Sequence, residues 1–235
     1  SSDVCSSDLI FISTYVCHPS MANNELSGPC LTTFLAKNLI TQSEKLNYTY
    51  RVIFIPETIG SIVYLSKNLN LLKNNVIAGF NISCVGDERC YSYLPSRNGD
   101  TLSDRIALHV LKWTDPKFKK YTWLDRGSDE RQYCSPGIDL PIATIMRSKY
   151  GTYPEYHTSK DTLGDVVTAK GLGQSHALFM KVFEALEANH HPIATVMCEP
   201  QMGRRNLYGQ HASGMRNTTT KQMMDFLSYC DGSHS

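Results

Sequence analysis

The sequence predicts an α/β layered domain. Short β-branched apolar runs alternate with longer segments whose apolar residues recur every three or four positions, the signature of strands interleaved with amphipathic helices. Polar residues crowd the ends of the apolar runs, which is where open α/β sheets bind their ligands. A length of 235 residues suits one large domain, or one with a small appendage, and allows a full core.

Leu9 to Val16 reads as a short buried strand, stopped by His18-Pro19. Ser27 to Ile40 then places apolar residues at 31, 34, 35, 39 and 40, a helical stripe. Arg51 to Pro56 is compact, β-branched and closed by proline, so it is a second strand. Gly60 to Leu72 carries Ile62, Leu65, Leu69 and Leu72 at helical spacing. Val76 to Val85 reads as a third strand and Thr101 to Trp113 as another helix. Leu140 to Met146 is a further strand, followed by a Gly/Tyr/Pro-rich loop through Thr158 and a long helix from about Thr168 to Ala188.

The composition turns to Gly, Arg, Asn and Thr from Pro200. That shift predicts a main domain over 10–199, a linker over 200–220, and the start of a second, truncated module at 221–235 with a short helix at Lys221–Tyr229. Residues 1–9 lack an initiator Met and any periodicity, and are expected to be a non-native scar on a fragment cut at both ends.

Hydrophobic residues at 41% and charged residues at 19% exclude a disordered chain. A formal net charge of +1 provides no global attraction for nucleic acid or an anionic membrane. No apolar run approaches the roughly 18–20 residues of a membrane span, so no membrane partner is expected. The eight cysteines are scattered without a CxxC pair, which reads as reduced thiols in a cytoplasmic protein.

Candidate chemistry lies in the loops after the strands. His18 and the run Asn23-Asn24-Glu25 follow the first strand. A lone histidine there is a hydrogen-bonding residue or a ligand, and the asparagines are cap residues or part of a site. Glu57 stands between a buried strand and a helix, as a helix N-terminal anion or a general base. Arg126 to Tyr133, with Asp129 and Arg131, is a solvated turn or a substrate wall. Asp87 and Arg97 lie in a similarly polar segment. The loop Arg147 to Asp161 contains His157 beside Tyr156, with Asp161 placed either to orient the histidine or to cap the next helix.

Taken together, these strings resemble the zinc aminopeptidase superfamily, and more closely the aminopeptidase-like domain family encoded near bacterial polysaccharide biosynthesis genes. The strings are His18-Pro-Ser-Met-Ala-Asn-Asn-Glu-Leu-Ser-Gly-Pro29, Pro56-Glu-Thr-Ile-Gly-Ser61, Arg126-Gly-Ser-Asp-Glu-Arg-Gln-Tyr133 and Tyr153-Pro-Glu-Tyr-His-Thr-Ser159. The resemblance implies a three-layer α/β/α aminopeptidase-like (phosphorylase/hydrolase-like) mixed sheet, lacking its N-terminal part here. It also implies a C-terminal winged-helix module that opens near Phe226.

Carried over to this chain, the resemblance makes His18 and His157 zinc ligands and Glu57 the general base. The third ligand, a carboxylate in the family, falls at Asn24, whose neutral amide is expected to weaken binding. Thr58 and Ser83 stand where two-zinc relatives have carboxylates, so one zinc ion per chain is expected at most. The implied reaction is hydrolysis of a small peptide-like amide by water activated at zinc, with Asp129, Arg131, Tyr133, Arg147 and Tyr156 lining the substrate pocket. Two rival readings accompany it. One is a catalytically degenerate binding or regulatory module contacting DNA or a protein partner through the winged helix. The other is an amidase or deacetylase acting on a saccharide-linked amide. A homo-oligomer is compatible with all three.

Overall fold

The structure is a computed structural model and describes residues 8–199, 201–205 and 218–233. Its chain divides into two units, Ser1–Glu187 and Ala188–Ser235. In the first unit a six-stranded sheet is built from β1 (Leu9–Tyr15), β2 (Thr49–Ile55), β3 (Val76–Asn81), β4 (Ser92–Leu94), β5 (Lys119–Lys120) and β6 (Ile142–Met146). The strand order is β2-β1-β3-β6-β4-β5. β1 runs parallel to both β2 and β3, and β3 parallel to β6. β4 reverses direction against β6 and pairs in parallel with β5, which makes the sheet mixed.

Every residue of β1 is buried, as expected for a strand covered on both faces. Its alternate side chains sort into two cores, because successive residues of a strand point to opposite faces. Ile10 and Ile12 join Phe80, Ala143 and Ile145 under helices α1 (Ser27–Thr41), α3 (Leu102–Thr114) and α5 (Ala169–Glu187). Leu9 and Phe11 join Ile142 under α2 (Ile59–Asn75) and the single turn α4 (Glu130–Tyr133). The result is the expected three-layer α/β/α fold.

Gly28 opens α1 where the helix meets the sheet. A Cβ on it would lie 2.5 Å from the Ile82 carbonyl oxygen and 2.7 Å from Thr14 Oγ1. At the start of α3, Thr101 and Asp104 form a capping box, and Asp104 also accepts hydrogen bonds from Tyr93 Oη and the Ser96 N–H.

The structure departs from the sequence reading in several places. The third strand ends at Asn81 rather than Val85, and the chain leaves the ladder through Cys84 at a φ of 51°. β4, β5 and α4 are additional elements of two to four residues. Before α1 lies a π-helical turn, Ala22–Leu26. Leu9, shared between the segment expected to be a scar and the expected first strand, starts β1 and is buried, as the strand reading has it. Residues 1–7 of that segment, and positions 200 and 206–217 of the expected linker, lie outside the described residues.

In the second unit, Ile193 bridges Asp231 in antiparallel fashion, and α6 (Thr218–Leu227) covers most of the short helix expected there. No helix among the described residues is long and apolar enough to cross a membrane.

Candidate metal centre

The parallel strands β1 and β2 deliver their following residues to the same end of the sheet. Cys17 and His18 follow β1 and Glu57 follows β2. Ligand atoms of these three side chains all lie within 4.8 Å of one another. His157, in the loop before α5, lies beside His18, their ring centroids 4.6 Å apart. His157 sits at a φ of 57° and is stacked on Tyr156, with centroids 3.9 Å apart and planes 15° apart. A left-handed backbone is uncommon for a histidine, and such outliers cluster at functional sites.

His18 is fixed by a residue the sequence reading passed over. Its Nδ1–H donates to Glu25 Oε1 at 2.8 Å, and the Cys17 N–H donates to Glu25 Oε2 at 2.6 Å. The Glu25 carboxylate is only 1% exposed and also accepts from Asn24 Nδ2 at 2.6 Å. A carboxylate accepts only, so the proton stands on Nδ1 and Nε2 is left as the free nitrogen. Carboxylates hold metal-ligating histidines in this way. The signal was present in the sequence as an acidic residue directly after the expected ligand position, seven residues beyond His18.

Asn24 itself is buried, and its oxygen accepts from Tyr15 Oη at 3.2 Å and, weakly, from the Cys84 thiol at 3.8 Å. Asn23 and Asn24 do not act as side-chain caps; the turn's N-cap is Met21. Asn23 instead ties the turn to the loop after β3, accepting from the Gly86 N–H and donating to Asp87. Asp161 reaches across 138 residues to accept the backbone N–H of Asn23 at 2.7 Å and of Asn24 at 3.0 Å. It therefore anchors the π-helical turn that presents Glu25. The insertion of an extra residue per turn, common at functional sites, packs Asn23, Asn24 and Glu25 all inward.

Behind Glu57, Asp129 is fully buried and accepts the Thr58 N–H at 2.7 Å and the Ser61 hydroxyl at 2.9 Å. Thr58 has a φ of 61°, costly for a β-branched residue, and this anchor holds the corner that aims Glu57. Burial, opposed by those two hydrogen bonds, pushes the Asp129 carboxyl up to about 6. Arg131 is exposed and donates through Nη2 to Thr58 Oγ1 at 3.0 Å, next to Glu57.

Tyr133 and Arg147 face elsewhere. Tyr133 is enclosed in the second core, its hydroxyl 2.7 Å from Ser13 Oγ and its ring edge-on to Phe11. Arg147 is buried, donates to the Asp87 carbonyl at 2.6 Å and lies 4.0 Å over the Tyr91 ring. Asp87 braces Ser148 and the Arg89 N–H, while Arg97 pairs with Asp139 at the surface.

The electrostatics favour a cation. Burial first, then Glu25 and Glu57, push the Cys17 thiol up to about 11. The carboxylates that keep this thiol protonated attract positive charge to the same spot. Imidazole, thiol and carboxylate are the ligand types zinc takes, so the residues present fit that ion.

A family model described as a domain of unknown function (DUF4910) matches residues 3–189, and a winged helix-turn-helix model matches residues 191–235. A protein of Clostridium acetobutylicum, named for polysaccharide biosynthesis and an aminopeptidase-like domain, is 41% identical over 206 residues, covering 87% of this chain and 46% of the relative. A crystal structure from the same species, named as a peptidase, superimposes with a TM-score of 0.82 at 38% identity, covering 97% of this chain and 50% of the other. The zinc aminopeptidase BSAP from Bacillus subtilis shares the fold, with a TM-score of 0.58 at 16% identity over 79% of this chain and 47% of that one. The chain thus spans about half the length of the relatives it matches. On its sequence and relatives, this chain belongs to the aminopeptidase-like DUF4910 family and carries a winged helix-turn-helix segment behind that domain.

Proposed function

We propose that the chain is a zinc-dependent hydrolase that cleaves a peptide-like amide. The observation that carries this reading is the convergence of Cys17, His18 and Glu57 from two separate loops beyond the sheet, with His157 of a third loop facing His18. The names of its relatives, an aminopeptidase-like domain and a zinc aminopeptidase among them, support it. His18 and His157 would hold the ion, one per chain, since Thr58 and Ser83 bring no carboxylate for a second. When bound, zinc polarises a carbonyl and acidifies water.

The chain's own residues do the rest. Glu57 takes a proton from the attacking water at its carboxylate and passes it to the leaving amine. Glu25 holds the His18 ring with Nδ1 protonated. Asp129 fixes the Thr58 corner and with it the direction of Glu57. Arg131 uses its Nε and one Nη within the protein and retains further donors for a substrate carboxylate or phosphate. Tyr156 forms the opposite wall, stacked on His157. Tyr133 and Arg147, enclosed in the interior, do not line the pocket.

The relative named for polysaccharide biosynthesis favours a second substrate class, a saccharide-linked amide, which the same machinery would cleave. The winged-helix segment would provide a DNA or protein contact. In the purified chain loaded with zinc, turnover of an aminoacyl anilide or an N-acetylated amino sugar is expected. Glu57→Gln should lower it by about 10²- to 10⁴-fold while zinc is retained. A folded, zinc-loaded chain that turns over neither class would contradict the hydrolase and favour the binding module.

A further inference from the structure

We propose that Cys17 is a metal ligand, providing as a thiolate the anionic donor that position 24 lacks. This inference rests on the metal reading above and deepens it. The Asn24 side-chain oxygen is already accepting from Tyr15 and Cys84, and its amide nitrogen donates to Glu25. Both Glu25 oxygens are likewise engaged, Oε1 by His18 and Asn24 and Oε2 by the Cys17 N–H. These partners hold both side chains in place within the protein.

Cys17 carries a free thiol, it is exposed, and its sulfur lies within 4.8 Å of ligand atoms of both His18 and Glu57. Zinc bonds of about 2.3 Å to sulfur and 2.0–2.2 Å to nitrogen or oxygen place tetrahedral donors roughly 3.3–3.6 Å apart. Side-chain rotation of about 1 Å closes that gap. The backbone of Cys17 and the ring of His18 are pinned by one and the same carboxylate, so the two donors are held as a pair before any ion arrives. His157 faces His18 from the other loop, and its imidazole, turned toward the pair, would complete a set of one sulfur and two nitrogens. Three protein ligands with the fourth position open is the composition of a catalytic zinc site, and it leaves Glu57 beside the open position as a base.

On binding, the S–H bond of Cys17 breaks and a sulfur–metal bond forms. The proton leaves to solvent, and no electron is transferred. A thiolate also makes the site softer than the carboxylate-rich site of the superfamily. It should therefore favour zinc and cobalt over manganese or magnesium.

Cobalt(II) chloride tests this directly, because thiolate ligation produces an intense near-ultraviolet sulfur-to-cobalt charge-transfer band that carboxylate and imidazole do not. The full metal-free chain is titrated with cobalt under reducing, oxygen-free conditions, beside Cys17→Ser, Cys17→Asp and the surface control Cys30→Ser. The expected result is a saturating band at about one cobalt per chain in the parent and Cys30→Ser. Cys17→Ser should lose the band and bind at least about tenfold more weakly. Cys17→Asp should keep visible cobalt d–d bands without the charge-transfer band. Cobalt bound by the parent without the band, or a band that survives in Cys17→Ser, overturns the ligand assignment alone. A folded parent that binds no cobalt overturns the metal reading together with it.

Discussion

Glu25 shows how much of the site depends on a single carboxylate. It is buried, bridges the Cys17 backbone to the His18 ring, and is itself held by Asn24. The positions of His18, Glu57 and His157 at the ends of apolar runs marked them as candidates, since such loops converge in α/β sheets, and the family resemblance assigned their roles. Glu25 was not legible, because the resemblance implies the carboxylate ligand at position 24. The π-helical turn, which no periodicity announces, turns Asn24, Asn23 and Glu25 inward together. Nor does sequence reveal direction within a short polar segment. Arg131 and Tyr133 are two residues apart, yet one faces solvent and the other the core. Glu25→Gln keeps the shape and removes the charge that fixes the His18 tautomer. It should move the His18 proton partly to Nε2, visible in nitrogen-15 NMR of the ring, and weaken zinc binding by about 10- to 100-fold. An unchanged tautomer and affinity would show that Glu25 is mere packing.

At the scale of elements, the long helices and central strands follow from their apolar spacing. The boundary of α1 has a second cause, the close approach of Gly28 to the Ile82 carbonyl and Thr14. That contact sets the helix against β1 and β3 and thereby the π-helical turn before it. Because the nearest atom is backbone, it cannot rotate away, and Gly28→Ala should cost about 1–3 kcal/mol of stability. Urea denaturation of the two proteins measures this, and equal midpoints with equal slopes would contradict it. β4, β5 and α4 escaped the sequence reading for a simple reason. Two to four residues span at most about one turn or one pleat repeat, too few for periodicity to register. β3 stops short of the apolar run that suggested it because Ile82 to Asp87 continue as buried loop rather than as strand. Their burial serves the site: Gly86 and Asp87 hold Asn23, and Asp87 holds Ser148.

For the molecule as a whole, the alternation of strand and helix was enough to read an α/β layered domain, and the resemblance added the three layers. The antiparallel β4 was not foreseeable from it. The two parallel strands β1 and β2 bring Cys17, His18 and Glu57 to one edge, and the long connection between β6 and α5 returns His157 to the same place. Topology thus gathers residues far apart in sequence, Cys17 and His18 with Glu57, and His157 against His18. Its charge points the same way, since Glu25, Glu57 and the buried Asp129 lie close together with Arg131 as an exposed neighbour. The most direct measurement is zinc per chain by elemental analysis of the folded full chain, beside the His18→Ala, His157→Ala double variant. About one zinc in the parent and none in the double variant is the predicted result. A folded parent without zinc, or equal zinc in both, would contradict the metal centre and the hydrolase built on it.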